Sequence, residues 1–326
     1  MQYRTLGKTG LHVSAIGVGT WAWGGMWGPR NDRAATETLR AAVELGANFV
    51  DTALVYGDGH SERLIGAAMK RLGNYEIAVA TKIPPKNFGW PAQSHTPLKD
   101  AFPAKWIVAC TERSLKHLGV ECLDLQQFHV WTDAWLQETE WRDAIDRLKM
   151  DGKIKHFGVS INDHASDSTL KLVQSGLVET IQVIYNLFDQ TPAERLLPLC
   201  QHSNVGVIGR VPFDEGGLTG ALTRTTTFHR SDWRRRYFAG EKLSQTVERA
   251  ERLKTLLVRG ETTTLAQAAL RFVLSHPAVS TVIPGMRSAA HVGENLAVAG
   301  QPPYDGEMLR TLQQHAWPRN FYTGVW

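Results

Sequence analysis

Eight short, continuously apolar runs recur along the 326-residue chain, most of them followed by a stretch with apolar residues at helical spacing. Runs that are apolar throughout are strands covered on both faces, and eight strand–helix units in a chain of this length predict an α/β fold of the closed (β/α)8 barrel type. An open doubly wound sheet is the other arrangement such alternation allows. No Gly/Ser-rich linker or shift in composition divides the chain, so residues 1–326 are expected to form one domain, with an N-terminal β-hairpin and an extra helix and tail at the C-terminus. A hydrophobic content of 43% is enough to fill the core of such a domain.

The opening residues alternate apolar and polar on either side of Lys8-Thr9-Gly10, so residues 3–6 and 13–15 read as the hairpin. The first barrel strand falls at 15–18 and leads through a Gly- and Trp-rich loop to a helix over 33–45. Strand 48–51 then precedes helix 61–72, strand 76–82 precedes helix 104–118, and strand 123–129 precedes helix 139–150. The pattern continues with strand 154–160 and helix 165–175, then strand 180–185 and helix 192–202. Strands 205–210 and 279–283 are tied to helices at 242–258, 264–275 and 289–299. Two connections are long, 84–103 and 212–240, and loops of that size at a barrel mouth decide the shape of a pocket.

Charge and special residues narrow the function classes. A net charge of +4 and a pI near 8.9 are mildly basic, which suits an anionic small ligand and does not call for nucleic acid. The run Arg234-Arg235-Arg236, between Trp233 and Tyr237-Phe238, reads first as a solvated loop, next as a loop over a cofactor's phosphates, and last as a single-strand-binding groove. Cys110, Cys122 and Cys200 are odd in number, widely spaced and set in apolar surroundings, as reduced core cysteines are. The absence of H-E-x-x-H and C-x-x-C spacing argues against a metal. The first residues contain no long apolar segment, so neither a signal peptide nor a membrane span is expected and the location expected is cytoplasmic.

Asp51, Lys82 and His129 each close an apolar strand run, and Tyr56 follows Asp51 in FVDTALVYGDGHSERLIG. Polar groups at the carboxyl ends of barrel strands are where this fold carries its chemistry. Singly, each has an ordinary structural role as a turn cap, a packing residue or a rim charge. Together they suit hydride transfer to a carbonyl, because the oxygen gains charge as hydride arrives and needs a proton donor. Tyr56 is expected to be that general acid/base, Lys82 the cation that makes the phenol more acidic, and Asp51 the carboxylate that holds Lys82 charged. His129 is expected to donate to the carbonyl oxygen.

A second motif misleads. Gly17-Val18-Gly19-Thr20-Trp21-Ala22 matches the G-x-G-x-x-A dinucleotide pattern, yet the following Trp23-Gly24-Gly25-Met26-Trp27-Gly28-Pro29 cannot be the helix that would hold a pyrophosphate. Val282 to Ser288 is a better anion site: a strand ends, Gly285 permits close approach, Arg287 adds charge, and Ser288 can cap the next helix.

The sequence resembles the aldo-keto reductase family over nearly its whole length, from RTLGKTGLHVSAIGVGTW through FVDTALVYGDGHSERLIG, GKIKHFGVS, IQVIYNLFDQ and VPFDEGGLTG to IPGMRSAAHVGENL. The resemblance implies a barrel enzyme using NADP(H), with NAD(H) second, and a small carbonyl compound as its partner; it sets no oligomeric state. It puts the catalytic tetrad on Asp51, Tyr56, Lys82 and His129. It assigns Ser160 and Gln182, with Asn162, to the nicotinamide carboxamide, and Gly19, Thr20 and Trp21 to the nearby cofactor wall. Pro212, Phe213, Asp214, Gly216 and Leu218 would pass over the pyrophosphate. Ile283, Gly285, Met286, Arg287, His291, Glu294 and Asn295 would surround the adenosine end.

Two positions depart from the family's commonest pattern. Ile161 intervenes between Ser160 and Asn162, so strand alternation turns that amide from its usual side. Arg210 stands where many members carry an aromatic residue against the nicotinamide; it could stack on the ring, bind a substrate carboxylate, reach the phosphates, or pair with Asp214 or Glu215. Trp21, Trp23, Trp90 and Trp131, with Tyr56 and His129, are the expected pocket wall, and Trp27, Trp317 and Trp326 are further aromatic candidates. The competing functions are a nicotinamide-sensing binding subunit with little turnover, and a barrel isomerase or aldolase forming a Schiff base on Lys82.

Overall fold

Alternation at the N-terminus produces an antiparallel ribbon, β1 (Tyr3–Thr5) with β2 (His12–Ser14), in which Tyr3 faces Ser14 and Thr5 faces His12. The chain then enters a sheet of eight parallel strands in sequential order: β3 (Val18–Gly19), β4 (Phe49–Asp51), β5 (Ala78–Ile83), β6 (Leu123–Phe128), β7 (Ile154–Ser160), β8 (Thr180–Ile184), β9 (Gly206–Arg210) and β10 (Val279–Val282). The computed structural model from which these elements are taken describes residues 1–73, 75–260 and 262–322. The first and last strands meet, with Gly17 N–H donating to Val282 O at 2.9 Å, Val282 N–H to Ala15 O at 2.9 Å and Gly19 N–H to Pro284 O at 3.0 Å. Those bonds close the sheet into a barrel and exclude the open alternative.

Helices α1 (Asp32–Glu44), α2 (His60–Leu72), α3 (Leu98–Ala101), α4 (Ala104–Leu118) and α5 (Glu140–Met150) are followed by α6 (Leu170–Gln174), α7 (Leu196–His202) and α8 (Arg234–Tyr237). The chain ends with α9 (Lys242–Leu257), α10 (Leu265–Ser275), α11 (Ala289–Leu296) and α12 (Gly306–Gln313). Ser288 caps α11 as expected, accepting from His291 N–H. Among the described residues no helix is long and apolar enough to cross a membrane.

Several boundaries differ from the sequence reading. The first barrel strand is regular only over Val18–Gly19, because Ala15 N–H is engaged by Gln2 O of the hairpin and Ile16 pairs with Val282 only as an isolated bridge. The helix expected over 165–175 opens as a 3-10 turn, Ser166–Thr169, where Thr169 bonds back to Ser166 O in competition with a regular helix. The helix expected over 192–202 likewise splits into a 3-10 turn at Thr191–Ala193 and α7, with Arg195 outside helical geometry between them.

Strand alternation decides what the barrel interior contains. Phe49, Ala80, Leu125, Ile208 and Ile283 form one inward cluster with Leu6 and Val13 of the hairpin, which plugs the lower end. Two residues further along the same faces come Asp51, Lys82, Gln127 and Arg210, so the alternation that fills the core also aims these polar groups into the upper mouth. Between the two levels Gly158 leaves room for its neighbour: a Cβ there would lie 1.9 Å from Thr180 Oγ1 and 2.8 Å from Thr180 O. Gly158→Ala should therefore destabilise the barrel by about 1–3 kcal/mol. A thermal melt of the variant superimposable on that of the parent would show that this row is slack.

Candidate active site

The carboxyl ends of β4, β5 and β6 bring the four candidate residues together. Lys82 Nζ donates to Asp51 Oδ2 at 2.6 Å and to Thr52 O at 2.7 Å, and reaches Tyr56 Oη at 3.4 Å. The Tyr56 and His129 rings meet edge to face with centroids 6.0 Å apart, and Trp90 stands at 89° to His129 at 5.6 Å. Asp51 is held from its other side, where Gln182 Nε2 donates to Oδ1 at 2.6 Å. Its own carbonyl accepts from Thr20 Oγ1 at 2.9 Å, and Thr20 is joined through Ser61 to Thr52 by two further hydroxyl bonds. The Tyr56 loop is pressed against the turn Trp21–Gly24: a Cβ on Gly24 would lie 2.8 Å from Tyr56 C and Gly57 N, so only glycine allows that approach.

Burial and charge set the protonation states. Burial, and then the Asp51 carboxylate, push the Tyr56 phenol well above its ordinary value, with Arg210 partly opposing. Burial and Asp51 thus outweigh the acidifying effect expected of Lys82, and the phenol is protonated at rest. The ammonium gives its short bonds to Asp51 and Thr52, and its contact with Tyr56 is the longest of the three. Burial lowers the Lys82 ammonium, with Asp51 counteracting. Burial, then Lys82 and Arg210, hold His129 well below the ordinary imidazole value, so it is neutral near pH 7. All three Lys82 donors have acceptors, which disfavours the Schiff-base reading.

Above these groups a cavity of about 650 Å³ runs from the barrel mouth to the start of α11. Asp51, Tyr56 and His129 form its floor with Gln182 and Arg210, beside Gly19, Thr20 and Trp21. Pro212, Phe213 and Gly216 line one side; Ile283, Gly285, Arg287, His291, Glu294 and Asn295 line the far end. Lys82 is buried beneath the floor at 1% exposure.

Other expected site residues lie elsewhere. Ser160, Leu218 and Met286 are buried away from the cavity wall. Asp214 is turned into the protein, where it accepts from Tyr237 Oη and Arg319. Trp23 is in the core with its indole N–H on Met286 O, and Trp131 packs against Phe128, Trp135 and Trp141. Large aromatic area at these two positions serves packing and not the pocket. Asn162 reaches the wall, yet its amide bonds Ala92 N–H, Ala92 O and Trp131 O, which leaves it tying two loops together. Arg210 pairs with Asp163 at 2.8 Å and not with Asp214 or Glu215. Arg234, from the basic run, lies at the cavity edge, held by Asp232 and sandwiched between Trp27 at 4.0 Å and Phe228 at 4.9 Å. Trp326 lies outside the described residues.

The cavity also contains Met26, Phe88, Asp163 and Tyr322, which the sequence reading did not select, and Glu215, which it offered only as a partner for Arg210. Glu215 stands out. It follows β9 in a stretch where Val211, Asp214 and Glu215 all have positive φ, at 53°, 49° and 56°. Such backbone is costly for non-glycine residues and clusters at functional loops. Tyr322 Oη donates to the Glu215 carboxyl, so the C-terminal tail helps to hold this loop. Burial pushes the Glu215 carboxyl up to about 8. An acidic residue in a glycine-containing segment gave no sequence signal beyond its place next to Asp214.

Known proteins agree with this architecture. The family described as Aldo/keto reductase family matches residues 15–316, and the chain belongs to it. Its members are oxidoreductases of small carbonyl compounds with nicotinamide cofactors. The chain is 31% identical to aldo-keto reductase YhdN of Bacillus subtilis over 88% of its own length and 85% of the relative's. It is 28% identical to an NADH-specific methylglyoxal reductase of Escherichia coli, covering 90% of this chain and 91% of that one. Among solved structures, a glycerol dehydrogenase from Gluconobacter oxydans superposes with a TM-score of 0.78 at 27% identity, over 96% of this chain and 94% of that one.

Glu215 makes a stability prediction whose sign follows from its proton. In the unfolded chain the carboxyl ionises near 4.5, whereas in the folded protein it keeps its proton to about 8. Its contribution to stability is therefore full below the lower value and is lost as pH rises through the higher one. Glu215→Gln keeps an acceptor for Tyr322 and removes this titration. The melting temperature of the variant should be close to the parent's near about pH 5 and exceed it by a few degrees near about pH 8. A difference independent of pH would contradict the assignment.

Proposed function

We propose that the protein reduces an aldehyde or ketone to the alcohol with NADP(H), using Tyr56 as general acid/base. The observation that carries this reading is the buried contact of Lys82 with Asp51, Thr52 O and Tyr56 Oη beneath an apolar cavity. When bound, the nicotinamide supplies the hydride. Tyr56 gives its proton to the carbonyl oxygen, and in alcohol oxidation its phenolate takes that proton back. Neutral His129 orients the carbonyl through its imidazole N–H and stabilises the charge that develops on oxygen. Lys82 acts on Tyr56 electrostatically, more strongly on the phenolate left after proton transfer than on the neutral phenol. Asp51 keeps the ammonium in place.

The fit of a nicotinamide rests on two features of the floor. Gln182 Oε1 is a buried acceptor with no partner among the described residues, and Arg210 Nε is a buried donor of the same kind. A carboxamide provides both a donor and an acceptor, which suits such a floor. At the far end, the start of α11 offers helix N–H groups, with Arg287 and His291 exposed beside them. Arg287 supports a 2′-phosphate and hence NADPH over NADH. The substrate side is walled by Trp21, Trp27, Phe88, Trp90 and Tyr322, which favours a carbonyl compound with an apolar or aromatic body.

The test is consumption of NADPH, and of NADH in parallel, with a panel of aromatic and aliphatic aldehydes. Tyr56→Phe should lower turnover by roughly 10²–10⁴-fold while NADPH still binds. Undiminished turnover in the variant would remove Tyr56 from the chemistry. Binding without measurable turnover in the parent would instead favour a cofactor-sensing role.

A further inference from the structure

We infer that Arg210, tethered by Asp163, makes this site bind a reduced nicotinamide more tightly than an oxidised one, and so biases the protein toward carbonyl reduction. The inference rests on the nicotinamide-dependent reading above and adds the direction of the reaction to it.

Ile208 on β9 points into the barrel core, and Arg210, two residues on, points into the mouth on the same face. Its Nη2 donates to Ile161 O at 2.9 Å and to Asp163 Oδ1 at 2.8 Å, both just beyond β7. The side chain is only 17% exposed, so the guanidinium is fixed by two strand ends and cannot swing out to water. Burial would lower it, but Asp163 and its other neighbours hold it above the ordinary arginine value, so it is always charged.

Lys82 is offset by Asp51 at 2.6 Å, whereas the Arg210 charge is felt at Tyr56, Lys82 and His129 alike. Asp163 offsets part of that charge through its pairing at 2.8 Å, yet Arg210 lines the cavity with its Nε a buried donor that has no partner among the described residues, so the guanidinium still faces the ligand. Glu215 keeps its proton to about 8 and adds little negative charge below that.

A carbonyl held by Tyr56 and His129 requires its hydride donor about 3–3.5 Å away, which sets the nicotinamide among these same groups. A bound nicotinamide would supply the hydride to the carbonyl carbon and so take on one positive charge, while Tyr56 passes a proton to the oxygen. The phosphates are identical in both forms. A fixed guanidinium therefore acts on the difference between them, disfavouring the oxidised ring and helping it to leave.

The experiment measures dissociation constants of NADPH and NADP+, and of NADH and NAD+, by fluorescence titration of the parent and of Arg210→Met, Arg210→Lys and Asp163→Asn. The ratio of oxidised to reduced dissociation constants should fall by about tenfold in Arg210→Met and be largely kept in Arg210→Lys. In Asp163→Asn it should widen, because the carboxylate that offsets the guanidinium is gone. A purely structural role would not move the two neutralising variants in opposite directions. If Arg210→Met fails to fold, Asp163→Asn still decides the matter. Ratios unchanged in the soluble variants, or shifted the same way, overturn this inference alone. A parent protein that binds neither form of either cofactor overturns the nicotinamide reading itself.

Discussion

The buried contact between Lys82 and Asp51 is the constraint on which the rest of the site depends. An ammonium at 1% exposure would be costly if unpaired, and the carboxylate 2.6 Å away, with Thr52 O, makes it tolerable. Neither group could be kept without the other. Because Asp51 ends β4 and Lys82 lies near the end of β5, the pair locks two adjacent strands at the level where Tyr56 leaves the barrel. Gln182 extends the lock across the barrel to β8, and the Thr20, Ser61 and Thr52 hydroxyls extend it to the first helices.

That lock has an electrostatic consequence for the phenol. The ammonium is engaged by Asp51 before it can act on Tyr56, so the resting hydroxyl is a protonated, poorly acidic group. A proton donor in carbonyl reduction needs to be protonated at rest. The ammonium matters most once the proton has gone, when a buried phenolate needs a cation in reach. Stabilising that phenolate is the acidifying effect expected of Lys82, and at rest burial and Asp51 outweigh it.

Much of this was readable in the sequence for one physical reason: a covered parallel strand must be apolar throughout, so a polar residue at its end is conspicuous. Asp51, Lys82, His129 and Arg210 announce themselves in that way, and the same runs give the order of the barrel strands. What escaped were residues whose role depends on how loops meet. Glu215 has meaning only because Tyr322 comes from more than a hundred residues away to bond it. Asp163 pairs with Arg210 although nearer acidic residues follow β9 in the chain. Tryptophans gave a blurred signal, since Trp21 and Trp90 face the cavity while Trp23 and Trp131 fill the core, and composition does not separate the two. Asn162 lines the cavity, but nothing in the sequence showed that its amide would staple Ala92 to Trp131.

Tyr56 rests as a neutral phenol beside an ammonium committed to Asp51. Labelling the tyrosine Cζ carbons with ¹³C and titrating by NMR, with Tyr56→Phe to assign the resonance, tests this directly. The Tyr56 signal should keep its phenol position up to about pH 9 or beyond. A phenolate signal at neutral pH would show that Lys82, and not burial and Asp51, governs the hydroxyl, and would contradict the account.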